Sequence, residues 1–181
     1  TLTGNDAWNN ANGIRLGNSD NNTLTGNDAG NNNRGIALGA SHNNNLSSNN
    51  AWDNTEDGIY LWNSSSTNTL SGNNALNNTY GIRLIIVDDN NLTGNTISDN
   101  AYGIALDTSP NNTLTSNNAF NNTYVGIGLL ASNYNNLSNN PAFNNSLFGI
   151  GLQDSNYNNL TNNPAWNNTY VGIGLNLSSN Y

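Results

Sequence analysis

Residues 91–107 read NLTGNTISDNAYGIALD, and the spacing of their apolar members decides the fold. Leu92, Ile97 and the pair Ile104/Leu106 form three short clusters separated by polar residues or glycine. Ile104-Ala105-Leu106 alternates with period two, as an extended strand does when one face is covered and the other open. No part of the chain sustains ten residues of helical period, so a helical-repeat solenoid is not expected.

The same sentence recurs along all 181 residues. Its first leucine returns at Leu2, Leu24, Leu46, Leu70, Leu92, Leu114, Leu137 and Leu160, a spacing of 22 to 24 residues. Glycine precedes the last cluster at Gly13, Gly35, Gly58, Gly81, Gly103, Gly126, Gly149 and Gly172. A fixed period in this range defines a solenoid. Three short strands per repeat predict an all-β, right-handed, three-faced parallel β-helix of eight rungs, about 38 Å long at about 4.8 Å per rung. Residues 1–181 form one β-solenoid domain on this reading.

Asparagine fills two columns completely. One is Asn5, Asn27, Asn49, Asn73, Asn95, Asn117, Asn140 and Asn163; the other is Asn10, Asn32, Asn54, Asn78, Asn100, Asn122, Asn145 and Asn168. Stacked rungs place like residues above one another, which predicts amide ladders along the axis. Asparagine also tolerates left-handed backbone, so these columns are expected to turn the chain at its corners. The glycine before each isoleucine is expected to do the same with positive φ. Glu56-Asp57 and Ser64-Ser65-Ser66 read as insertions in polar corners. One rung alone buries too little apolar surface to offset the entropy of ordering it, so stability must come from neighbours.

A net charge of −8, with no lysine and only Arg15, Arg34 and Arg83 strongly basic, leaves nothing to neutralise phosphates and excludes nucleic acid as a partner. Without cysteine or methionine there are no disulfides and no sulfur metal ligands. No apolar run reaches the length of a membrane span. The expected setting is extracellular or on the cell surface, and the missing initiator methionine suggests a processed chain or an excised portion of one.

These residues resemble the NosD-like and CASH-type group of parallel β-helix repeats, frequent in archaeal cell-surface proteins. The pattern N-x-L-T-x-N-x-A-x-x-N, G-I-x-L and N-N-x-L carries the likeness over essentially the whole chain. The resemblance implies the coil. Its members include copper-maturation factors, polysaccharide enzymes and structural surface proteins. Where the group has a second isoleucine this chain has alanine, except at Ile97, which implies a narrower rung on that side.

Catalysis is not expected. His42 is the only histidine, Asp88-Asp89 lie side by side in one polar loop, and no opposed carboxylate pair is evident. No cofactor is assigned. Asp88 and Asp89 are the candidates for structural calcium. Twelve Asn-x-Ser/Thr sequons are candidates for N-linked glycans: Asn21, Asn45, Asn63, Asn77, Asn91, Asn111, Asn121, Asn136, Asn144, Asn159, Asn167 and Asn176. Trp8, Trp52, Phe120, Phe143 and Trp166 form an outward aromatic column that is a contact surface for polysaccharide or for lateral assembly. Tyr134, Tyr157 and Tyr181 form a second set, and Ala37, Ala105, Gly128, Gly151 and Gly174 leave the outward side of Ile-x-Leu small.

Joining Tyr181 to Thr1 of a second copy would place Leu2 23 residues after Leu160 and 8 after Leu175, both internal spacings. With uncapped ends, this predicts head-to-tail assembly through Leu2, Thr3, Ile14 and Leu16 at one end and Leu160, Ile173, Leu175 and Tyr181 at the other. The expectation is therefore a non-enzymatic, self-assembling structural protein or a slice of a longer surface β-helix. The alternative is a carbohydrate-binding or adhesive module using the aromatic column.

Overall fold

The computed structural model describes Thr1–Ser178. Among these residues every repeat contributes three strands, for example Asn91–Thr93, Thr96–Ser98 and Tyr102–Asp107. The equivalent strands of successive rungs pair in parallel, giving three eight-stranded sheets in chain order. The predicted β-solenoid is therefore the fold. The third sheet is built from six-residue strands and is the longest face. Tyr181 lies outside the described residues.

Register is strict because slipping by one residue would turn every buried side chain to solvent. Leu70 faces Leu92, Ala75 faces Ile97, and Ile82 and Leu84 face Ile104 and Leu106. Leu92, Ile97, Ile104 and Leu106 are all buried and belong to one continuous core running the length of the coil. Burying each large aliphatic side chain stabilises by about 1.5–3 kcal/mol.

The asparagine ladders are present, but they do not turn the chain. Positive φ falls on the residue just before each ladder asparagine, as at Gly94 (φ 63) before Asn95 and Asp99 (φ 58) before Asn100. The ladder side chains instead point inward and are buried along the middle of the coil. From the second rung to the seventh, each donates its backbone N–H to Oδ1 of the next asparagine and its side-chain amide to a carbonyl one rung back. Asn95 donates to Asn117 Oδ1 (3.1 Å from N) and to Leu70 O (2.9 Å from Nδ2). A third ladder runs through Asn22, Asn44, Asn68, Asn90, Asn112, Asn135 and Asn158.

The glycines before isoleucine also differ from expectation. None of them is among the positive-φ glycines. They are glycine because rungs approach closely there: a Cβ on Gly103 would lie 2.3 Å from the carbonyl oxygen of Gly126. Glu56-Asp57 is not a simple corner insertion either. Asp57 opens the strand Asp57–Trp62, in register with Arg34 below and Tyr80 above, and it is fully buried.

Candidate functional site on the long sheet

The outer surface of the third sheet collects side chains that are far apart in sequence. Its central column runs Arg15, Ala37, Tyr60, Arg83, Ala105, Gly128, Gly151, Gly174. One flanking column carries Arg34, Asp57, Tyr80, Tyr102, Val125 and Phe148; the other carries Trp62, Ile85, Asp107, Leu130 and Gln153. All three arginines of a chain of net charge −8 thus lie on one face. Eight of the eleven acidic residues lie elsewhere, with Glu56, Asp57 and Asp107 the three at this face.

The early rungs of this face form a charged and aromatic cluster. Arg34 Nε donates to Asp57 Oδ2 at 3.0 Å, and its guanidinium also pairs with Glu56. The Arg34 guanidinium sits over the Tyr60 ring at 4.9 Å, and Tyr60 stacks on Trp62 at 4.9 Å. Arg15 lies over Trp62 at 5.9 Å. Asp57 Oδ1 is buried without a hydrogen-bond partner, with Arg83 Nη1 3.8 Å away. Burial raises the Asp57 carboxyl above its ordinary value, against the lowering pull of Arg34 and Arg83. Burial, with the Asp57 charge second, raises the Tyr60 phenol as well.

Beyond Arg83 the face becomes a trough of about 620 Å³ running parallel to the coil axis. Its floor is Ala105, Gly128, Gly151 and Gly174; it is open at Gly128, while the Phe148 ring leans over Gly151 and Gly174. One wall carries Tyr80, Tyr102, Val125 and Phe148, the other Asp107, Leu130 and Gln153, and Arg83 stands at its head. Tyr80 and Tyr102 stack at 4.9 Å, and Tyr124, outside the trough, meets Tyr102 tilted by 39° at 5.1 Å. The phenol groups of Tyr80 and Tyr102 can donate and accept hydrogen bonds.

The aromatic column read from the sequence is on the second sheet, on another face. Phe120, Phe143 and Trp166 stack at 5.2 and 4.6 Å, and Trp8 meets Trp52 edge-on at 6.5 Å. Trp52 lies over Gly30 and donates from Nε1 to Asp28 Oδ1 at 2.7 Å. The flat faces of Phe143 are therefore covered by its neighbours. Tyr134 and Tyr157 stack at 5.0 Å on a corner. All twelve sequon asparagines are exposed. Asp88 is half-buried and Asp89 exposed, and among the described residues no three His, Cys, Asp or Glu side chains gather into a metal-binding group. Leu2 packs against the core at the first rung and Leu160 at the last, while Ile173 and Leu175 are 42% and 49% exposed. Among the described residues no helix is long and apolar enough to cross a membrane.

Coil and groove together define a parallel β-helix with a trough along its long face. The chain belongs to the family described as Periplasmic copper-binding protein (NosD), whose signature matches residues 1–124 and 85–181. No curated protein matches the sequence. Among solved structures, the mannuronan C-5 epimerase AlgE4 A-module of Azotobacter vinelandii matches with a TM-score of 0.84 at 15% identity, covering 99% of this chain and 54% of that one. The AlgE6 A-module of the same organism matches with a TM-score of 0.77 at 12% identity, over 97% of this chain and 56% of that one. The periplasmic alginate epimerase AlgG, as its T265N mutant, matches with a TM-score of 0.74 at 20% identity, over 94% of this chain and 48% of that one. The chain thus spans about half the length of these structures, and the likeness is one of fold.

These findings correct the expectation that the protein is not an enzyme: solved structures that share its coil are mannuronan C-5 epimerases and an alginate epimerase. Copper is a different matter. Cu(I) prefers cysteine and methionine sulfur and Cu(II) imidazole. This sequence has neither sulfur residue and one histidine. His42 Nδ1 shares a hydrogen bond with Ser66 Oγ at 2.9 Å. The donor set does not fit copper.

Proposed function

We propose that the protein is an extracytoplasmic polysaccharide-binding β-helix, located outside the cell or on its surface, which holds an acidic polysaccharide along the trough of its long sheet. The observation that carries this reading is the placement of Arg83, Tyr80 and Tyr102 on the trough, on the face that gathers all three arginines of an otherwise acidic chain. An extended polymer lies naturally along a groove parallel to the coil axis. The floor at Ala105 and Gly128 admits it closely, the phenols of Tyr80 and Tyr102 meet its hydroxyls, and acidic charge elsewhere repels it from other faces. The names of the structural neighbours, which act on mannuronan and alginate, support the choice of polymer class. The family description and AlgG's periplasmic setting support the location.

The test is retention of polymannuronate on gels containing the polymer, for the native chain and for Gly128→Trp, which fills the trough. Loss of retention in Gly128→Trp, with retention kept in a Trp8→Ala/Trp52→Ala/Trp166→Ala variant, supports the trough. The reverse result moves binding to the second sheet. Reading the incubated polymer by NMR for altered uronate stereochemistry tests whether this chain shares its neighbours' activity.

A second reading, head-to-tail stacking of coils, is favoured by the polarity of the ladders. Each asparagine donates toward the following rung, so only rungs in one orientation can continue the pattern. The partly exposed Ile173 and Leu175 are the apolar surface such a rung would cover. Electron microscopy of the concentrated protein tests it: fibres with an axial repeat of about 4.8 Å support stacking, and dispersed particles count against it.

A further inference from the structure

Resting on the polysaccharide reading, we propose that Arg83 is the specificity-determining residue of the trough: it takes the carboxylate of an acidic sugar and so separates acidic from neutral polymers. The three arginines of this face are not equivalent. Arg34 is committed, with Nε on Asp57 at 3.0 Å and a second pairing to Glu56. Arg15 lies over Trp62, outside the trough. Arg83 alone lines the trough, with its guanidinium 4.2 Å from the centre of the Tyr80 ring.

A cation held on a ring face keeps its N–H edge for another partner. The nearest acceptor charge, Asp57 Oδ1, is 3.8 Å away, beyond hydrogen-bond length, and is itself buried without a donor. Asp57 thus tethers Arg83 electrostatically without occupying its donors. The planar fork of guanidinium donors matches a carboxylate, and a neutral sugar offers no such anion. Next to Arg83 the floor drops to Ala105 and then Gly128, so a sugar unit can come down onto the sheet beside the cation.

The experiment measures affinity for polymannuronate and for a neutral mannan of similar length, at fixed ionic strength. The proteins are the native chain, Arg83→Gln, Arg34→Gln and Arg15→Gln. Arg83→Gln is expected to weaken polymannuronate binding by about 10- to 100-fold, the range for a lost charge-assisted hydrogen bond. Mannan binding should not change, and the other two variants should keep the native ratio within about threefold. An unchanged ratio in Arg83→Gln, or an equal fall in all three variants, overturns the assignment and leaves only the general charge of the face. Failure of the native chain to bind either polymer overturns the polysaccharide reading and this inference with it.

Discussion

Asn73 donates both its backbone N–H and its side-chain amide to the single Oδ1 of Asn95, at 2.9 and 3.0 Å. One oxygen thereby serves two donors of the rung before it, while the Asn95 amide reaches Leu70 O and Asn117 Oδ1. Truncating Asn95 strands several buried polar groups at once. Asn95→Ala is expected to destabilise the coil by at least about 2 kcal/mol, since each unsatisfied buried group costs about 1–3 kcal/mol. Asn163→Ala, in the last rung, should cost less. Denaturant melts of the two variants check the order.

Asn95→Asp probes the direction of the same bonds. A carboxylate still accepts from Asn73, but it faces Leu70 O and Asn117 Oδ1 with no amide hydrogens to offer. This nearly isosteric change should therefore destabilise as much as alanine or more at neutral pH. Recovery on acidification, measured by thermal melts across pH, is the accompanying signature. Indifference to pH would argue against the donor assignment.

Two glycines of neighbouring rungs separate close packing from open space. Gly103→Ala forces a Cβ against the Gly126 carbonyl and should cost about 1–3 kcal/mol or more. At Gly128 the nearest atom to an added Cβ is Val125 Cγ1 at 3.5 Å, an ordinary contact. Gly128→Ala is expected to be neutral or stabilising by up to about 1 kcal/mol through the unfolded chain. Equal losses in both would mean the trough floor is as tight as the interior.

Asp57 makes a pH-dependent contribution of defined sign. Burial raises its folded-state carboxyl above the ordinary value of 3.8. The folded chain then holds that proton more tightly than the unfolded one. Stability from this group is complete below pH 3.8 and is lost as pH climbs through the raised folded value. Asp57→Asn cannot titrate, so the native-minus-variant stability should fall across that interval and then level off. A difference that grows with pH there would instead mean that Arg34 and Arg83 outweigh burial.

The coil was legible because its determinants repeat: Leu92, Ile97 and Ile104 each have a counterpart in every rung, and the two full asparagine columns announce the ladders. Their conformational role was misread, since αL tolerance says what asparagine can do, and only the corner geometry shows Gly94 and Asp99 making the turns. The third ladder sits two residues before the leading leucine, from Asn22 before Leu24 to Asn158 before Leu160, a column as regular as the other two but set among the other asparagines of the polar segment, which hid it. The trough was hidden by a shift of register. Tyr80 and Tyr102 pair directly, but an extra residue in the next rung aligns Tyr102 with Val125 and displaces Tyr124 to the corner. Arg15 and Arg83 both fill the outward place of Gly-Ile-Arg-Leu, so their shared column was readable, whereas Arg34 precedes its Gly-Ile and only the register brings it to the same face.

The asparagine ladders also give the rod an electrical direction. In a parallel sheet the backbone N–H and C=O groups alternate along the axis and their dipoles largely cancel. The ladder amides do not alternate: from Asn27 through Asn49 and Asn73 to Asn95, each side chain sends one N–H toward the later rung and turns its Oδ1 toward the earlier one, while its second N–H reaches back to a carbonyl. Their small dipoles add, as peptide dipoles add along an α-helix. A coil with no helix in its described residues thus carries an axial field of side-chain origin, positive toward its later rungs.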